Sequence, residues 1–132
     1  MAEKHALIID DNASNVDVLA EMLSLEGLSY TKVLDTVKLG RMIDQLKQVD
    51  IVFLDLEMPG LNGYAVYDHL REDPRFEDVP VVVCSVHVSE INNVRNRGFH
   101  SFLGKPLNAD RFPDQLARIL RGEGVWEASS AY

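Results

Sequence analysis

Residues 50–63 read Asp50-Ile51-Val52-Phe53-Leu54-Asp55-Leu56-Glu57-Met58-Pro59-Gly60-Leu61-Asn62-Gly63. Four consecutive apolar residues run into a carboxylate, and a Pro-Gly turn follows. A strand with one wet face alternates apolar and polar residues. An unbroken apolar run is the pattern of a strand covered on both faces, as in a parallel sheet between layers of helices. A second run of this kind, Val79-Pro80-Val81-Val82-Val83-Cys84, stops at Ser85. Working outward, His5–Asp10, Ser29–Leu34 and His100–Leu103 also read as strands, so the five are His5–Asp10, Ser29–Leu34, Asp50–Asp55, Val79–Ser85 and His100–Leu103.

Helical periodicity fills the gaps. The first helix carries two apolar stripes, one of Val16, Leu19, Ala20 and Leu23 and one of Val18, Met22 and Leu25. Together they make a broad core-facing surface, or one of them is free to dock a partner helix. Thr36 is placed to cap a second helix with Leu39, Met42, Ile43 and Leu46 at i, i+3, i+4 and i+7. A third carries Tyr64, Tyr67 and Leu70; a fourth, capped by Ser89, carries Ile91 and Val94 and ends at Gly98. The last shows Phe112, Leu116, Ile119 and Leu120, and Pro113 predicts a start later than the apolar pattern, with residues 110–112 as its entry. Strands alternating with helices imply a doubly wound α/β domain, whose ligands bind at the carboxyl ends of the strands. Residues 122–132 show no helical period and read as a flexible, frayed tail in which Trp126 is idle or clips onto the domain or a partner.

Composition sets the limits. A chain of 132 residues fits one domain, and 46% hydrophobic with 26% charged residues is the balance of an ordinary globular protein. The net charge of −8 argues against generic attraction to nucleic acid; it serves solubility, or it feeds a carboxylate cluster that holds a cation. No apolar run nears the roughly 20 residues that span a bilayer, so no membrane role is expected. The first apolar run, Ala6 to Ile9, stops at two aspartates and is a strand, not a signal-peptide core. Cys84 is the single cysteine, which rules out an internal disulfide and fits a cytoplasmic setting. His5, His69, His87 and His100 are scattered, with no metal-ligand spacing; His87 lies just past the end of the fourth strand.

The strand ends carry the chemistry. Strand one ends in Asp10-Asp11, strand three in Asp55 and strand four in Ser85, and Lys105-Pro106 follows strand five. In a parallel sheet these groups share one edge. Like charges about 4 Å apart repel by roughly 4 kcal/mol at an effective dielectric near 20. Such a cluster protonates, pairs or binds a metal. Carboxylates and water suit Mg²⁺. With the charge neutralised, a carboxylate can attack phosphorus and form an acyl phosphate, a reaction that depends on positioning and charge stabilisation.

Four segments, Ile8-Ile9-Asp10-Asp11-Asn12, residues 52–63, Cys84-Ser85 and Gly104-Lys105-Pro106, resemble in order the motifs of the response-regulator receiver family of two-component signalling. The resemblance spans roughly residues 5–121. It implies a flavodoxin-like (CheY-like) fold, a five-stranded parallel sheet of order 2-1-3-4-5, with residues 1–121 as the receiver and 122–132 as tail. It implies Asp55 as phosphoacceptor and Lys105 and Ser85 as groups contacting the phosphoryl oxygens. It implies Mg²⁺, or Mn²⁺ in its place, held by Asp11 directly, Asp10 largely through water, Asp55, and the backbone carbonyl of Glu57. Ser85 and Phe102 would be the switch pair, and the Lys105-Pro106 bond is often cis in the family. Such a protein is not a conventional enzyme: it catalyses its own Mg²⁺-dependent phosphorylation and dephosphorylation. Its partners would be a histidine kinase or histidine phosphotransfer protein, and a protein target on the face of the fourth helix, fifth strand and fifth helix, with no nucleic acid or membrane. It would be a monomer or a phosphorylation-dependent dimer.

Three features depart from the family pattern. Val86 is larger than the usual residue after the switch hydroxyl and predicts narrowed access, with slow loading by small phosphodonors and slow hydrolysis. The acid of Glu57 can overhang the site. Phe102, unlike tyrosine, has no hydroxyl for a partner to read. Two other readings compete. A degenerate receiver would act as an unphosphorylated binding module, but it typically lacks an acid or the lysine. Asp55-Leu56-Glu57 also resembles the acid-x-acid loop of aspartyl-nucleophile phosphatases, which place that loop on an early strand beside a further aspartate. A nucleotide-binding flavodoxin-like protein would need a glycine-rich phosphate loop after the first strand, and none follows it.

Overall fold

The computed structural model describes residues 4–58 and 61–128, and only the backbone at Thr36, Glu57 and Leu61. The Pro59-Gly60 turn and the last four residues of the chain lie outside the described residues. Strands β1 (His5–Ile9), β2 (Ser29–Val33), β3 (Ile51–Leu54), β4 (Val81–Ser85), β5 (Ser101–Gly104) and β6 (Trp126–Glu127) form one parallel sheet, ordered β2-β1-β3-β4-β5-β6. The expected 2-1-3-4-5 order holds, with a short sixth strand added at the β5 edge. Every residue of β3, β4 and β5 is buried, as the apolar runs of β3 and β4 require.

Helices cover both faces. Helix α1 (Ala13–Leu25) and helix α5 (Phe112–Leu120) bury Val16, Leu23, Phe112 and Leu116 on one side, against Ile8, Phe53 and Leu103. Helices α2 (Leu39–Gln45), α3 (Gly63–Arg71) and α4 (Ile91–Asn96) bury Ile43, Val66, Leu70 and Val94 on the other, against Leu54, Val83 and Phe102. The first apolar stripe of α1 is buried throughout; Val18 and Leu25 of the second are exposed.

Several helix starts differ from the expectation. Ser89 sits inside a 3-10 turn (Val88–Glu90) that precedes α4, and no side chain caps that helix. Thr36 opens a 3-10 turn (Thr36–Lys38) and not α2 itself; the Asp35 carboxylate accepts from the Val37 N–H at 3.0 Å. Short polar side chains satisfy a tight turn as readily as a helix end. Helix α5 begins at Phe112, earlier than Pro113 suggested, because N–H groups in a helix's first turn make no intrahelical bond and a proline there costs none.

Residues 122–128 are not frayed. Gly122, at φ 96°, closes α5 by donating to the Ile119 carbonyl at 2.9 Å. Val125 then buries its side chain, and β6 pairs with β5 with Phe102 opposite Trp126 and Leu103 opposite Glu127. A two-residue strand is too short to leave a periodic signal.

Candidate phosphoryl-transfer site

Sheet register assembles the site. Ile9 pairs with Leu54, and the Asp55 N–H donates to the Ile9 carbonyl at 3.0 Å, which sets Asp10 and Asp55 side by side at the strand ends. Ser85 pairs with Gly104, and the Lys105 N–H donates to the Ser85 carbonyl at 2.9 Å, which brings Lys105 to the same edge.

The side chains converge. Carboxylate oxygens of Asp10, Asp11 and Asp55 lie within 4.8 Å of one another. Asp10 is buried, Asp55 lies at the margin of burial and Asp11 is exposed, so the cluster opens to solvent on one side. The Lys105 Nζ lies 3.0 Å from Asp10 Oδ2 and 3.9 Å from Asp55 Oδ2. One ammonium against three carboxylates leaves excess negative charge, and the donors are all hard oxygens. That set fits a small divalent cation such as Mg²⁺, with Asp10, Asp11 and Asp55 as the residues to hold it.

Local structure holds these groups in place. Asp10 Oδ1 accepts from the Asn12 N–H at 2.9 Å, and Asn12 in turn caps α1 by accepting from the Asn15 N–H at 3.0 Å. Asn62 caps α3 by accepting from the Tyr64 N–H at 2.8 Å. Gly63 lies so close to β3 that a Cβ there would stand 2.6 Å from Leu56 Cα and 2.8 Å from the Asp55 carbonyl oxygen. Only glycine lets α3 press against the backbone that carries Asp55. Sequence reading gave no role to Asn12 or Gly63; the Asp-x-Asn spacing after a strand is the signal for the first, and for the second there is none without the packing.

The other expected residues fall as follows. Ser85 is buried in the same row, with its Oγ accepting from the His87 N–H at 3.0 Å. Thus His87 meets the site through its backbone. Glu57 lies on a short antiparallel ribbon, residues 57–58 against 61–62, next to Asp55; its side chain lies outside the described residues. The Lys105-Pro106 bond is cis. Phe102 is fully buried, facing the α2–α4 side of the sheet. Val86 is exposed just past Ser85. Cys84 lies beneath the cluster, and burial, reinforced by Asp10 and Asp55 and opposed by Lys105, pushes its thiol up to about 12. It remains a neutral thiol.

The chain matches the response regulator receiver domain over residues 6–117. It belongs to the receiver family. This receiver is 28% identical over 121 residues to protein PilH of Pseudomonas aeruginosa, covering 88% of this chain and 97% of PilH. It is 30% identical over 106 residues to stress response regulator protein 1 of Lodderomyces elongisporus, covering 77% of this chain and 29% of that protein. The receiver therefore spans less than a third of the length of that relative. Its structure is similar to the receiver domain of sensor histidine kinase PA1611 of Pseudomonas aeruginosa, with a TM-score of 0.74 and 25% identity, covering 91% of this chain and 96% of that one. That structure has a magnesium ion coordinated in its active site cleft. Among the described residues no helix is long and apolar enough to cross a membrane.

Proposed function

We propose that this receiver is a phosphorylation switch that takes a phosphoryl group onto Asp55 from a phosphohistidine on a histidine kinase or phosphotransfer protein. The observation that carries this reading is the Lys105 ammonium set between Asp10 and Asp55, beside a carboxylate trio fit for a divalent cation. An Asp55 carboxylate oxygen attacks phosphorus. The P–N bond to the donor imidazole breaks as the P–O bond forms, and the released imidazole nitrogen takes up a proton from water. When bound there, Mg²⁺, or Mn²⁺ in its place, would supply positive charge against the negative charge of donor and acceptor. Asp10, Asp11 and Asp55 would hold that cation, with the Glu57 backbone carbonyl as a further ligand. Lys105, 3.9 Å from Asp55 in the unmodified protein, is within reach of a phosphoryl oxygen. The Ser85 Oγ accepts from the His87 N–H, which leaves its own hydroxyl proton to donate to another phosphoryl oxygen.

Asp55 is modified and regenerated on the protein itself, so the receiver acts as a signal carrier and not as a conventional enzyme. The switch would be read in the cytoplasm through the face of α4, β5 and α5, with Phe102 and Ser85 linking that face to the site. Exposed Val18 on α1 fits a docking contact for the phosphodonor protein.

Phosphoramidate with Mg²⁺ tests the reading. The wild type should gain the mass of one phosphoryl group, and neither Asp55→Asn nor wild type with excess chelator should. Equal labelling of Asp55→Asn would refute Asp55 as acceptor.

A further inference from the structure

The outer edge of β5 already holds a strand, and its chemistry describes the occupant it prefers. The Phe102 N–H donates to the Val125 carbonyl at 2.8 Å. The Val125 N–H is met by a side chain, the buried Ser101 Oγ, at 2.9 Å. On the α4 side, the Trp126 ring lies under the Arg95 guanidinium, 5.0 Å from carbon to ring centroid. On the α5 side, Glu127 Oε1 accepts from Arg111 at 2.9 Å and from Gln115 at 2.7 Å, and Oε2 lies 3.6 Å from Arg118. Three arginines thus line one strand edge of a protein whose net charge is −8. Arginine stacks on aromatic faces and forks onto carboxylates, so this edge reads an aromatic residue followed by an acid.

The resident strand is weakly built. It is two residues long, while β4 and β5 pair over four residues. Short edge strands with few backbone bonds open locally at low cost. An edge freed in this way accepts an extended segment by strand addition, with main-chain bonds supplying affinity and side-chain positions supplying selectivity.

We propose that the groove between α4 and α5 along β5 is a docking site for an extended protein segment carrying an aromatic residue followed by an acid, and that residues 125–127 occupy it as an intramolecular competitor. The groove lies within the α4–β5–α5 face proposed as the output surface, and its role in output rests on that reading; peptide binding itself is tested on unphosphorylated protein, so its failure and the failure of Asp55 labelling are separate results. A tethered strand competes at an effective concentration of about millimolar. A partner segment of similar intrinsic strength therefore binds poorly until the resident strand is loosened.

The test uses the full chain and a fluorescein-labelled peptide, Gly-Val-Phe-Glu-Ala-Ser, read by anisotropy. Phenylalanine replaces tryptophan so that Trp126, the protein's single tryptophan, remains an independent reporter. Glu127→Arg sets a third guanidinium against Arg111 and Arg118 and expels the resident strand while leaving the groove intact. Its Trp126 emission should move to longer wavelength, and the labelled peptide should bind it at least tenfold more tightly than wild type. The same peptide with lysine for glutamate should bind neither protein. Equal binding to both proteins, no binding to the variant, or an unshifted Trp126 emission overturns the proposal. Hydrogen exchange on the wild type decides the matter if the variant fails to fold. Amides of residues 125–128 should exchange at least tenfold faster than those of residues 101–104, and equal protection refutes a displaceable strand.

Discussion

At the scale of single residues, the site is a problem in charge. Asp10 and Asp55 are buried beside each other with Lys105 as the shared counter-ion. Removing one partner of such a buried pair leaves an uncompensated charge and costs about 3–5 kcal/mol. Lys105→Met should therefore lower the denaturant midpoint of the metal-free protein, and Mg²⁺ should restore part of the loss. Asp55→Asn removes one of three like charges; it should raise stability without metal and weaken the gain from Mg²⁺. At about ten times its Kd, Mg²⁺ adds about 1.4 kcal/mol to the wild type, and thermal melts with and without the ion measure it. Val86 is exposed beside Ser85, at the mouth of the site. Val86→Ala should speed labelling by acetyl phosphate; faster labelling of the wild type would contradict a gating role. These residues were legible in the sequence because the chemistry needs particular side chains at strand ends. Asn12 and Gly63 act through backbone contacts, which no composition or spacing of charges reveals.

At the scale of elements, continuous apolar runs marked β3 and β4 without ambiguity, since burial on both faces excludes polar residues. Helix ends were less legible. Thr36 and Ser89 are good caps by type, yet both lie in 3-10 turns that precede their helices. Residue type alone does not choose between a 3-10 turn and the first turn of an α-helix. Gly63 makes the junction of β3 and α3 a sharp test. A methyl group 2.6 Å from Leu56 Cα meets backbone, which cannot rotate away. Gly63→Ala should destabilise by about 1–3 kcal/mol and slow labelling of Asp55, read by urea melts and by intact mass. Helices α3 and α4 are tied by the Tyr64 hydroxyl, which donates to Glu90 at 2.6 Å. Burial, then the hydrogen bond and charge of Glu90, push the phenol up to about 12, so it stays protonated through the neutral range. The bond from Tyr64 holds the Glu90 carboxyl below the usual carboxylate range. A carboxyl lowered on folding stabilises above its unfolded value and loses that contribution as pH falls through the folded one. The tie should therefore weaken in acid, and Tyr64→Phe should flatten that part of the stability–pH curve.

At the scale of the whole molecule, the register of a parallel sheet gathers Asp10, Asp11, Asp55, Ser85 and Lys105 at one edge, from positions as far apart as 95 residues. The strand order was legible through the resemblance of four ordered motifs. The sixth strand was not, because a two-residue element with one aromatic and one acid has no periodicity to detect; its order comes from arginines on α5 and α4 that are distant in sequence. The proposed switch requires one acyl phosphate at the convergence of these strand ends. Borohydride reduction of phosphoramidate-treated protein, followed by peptide mapping, locates it directly. A single reduced residue is expected, homoserine at position 55, present only with Mg²⁺ and lost in Lys105→Met or Asp11→Asn. Homoserine at any other aspartate, or at position 55 regardless of divalent cation and Lys105, would contradict it.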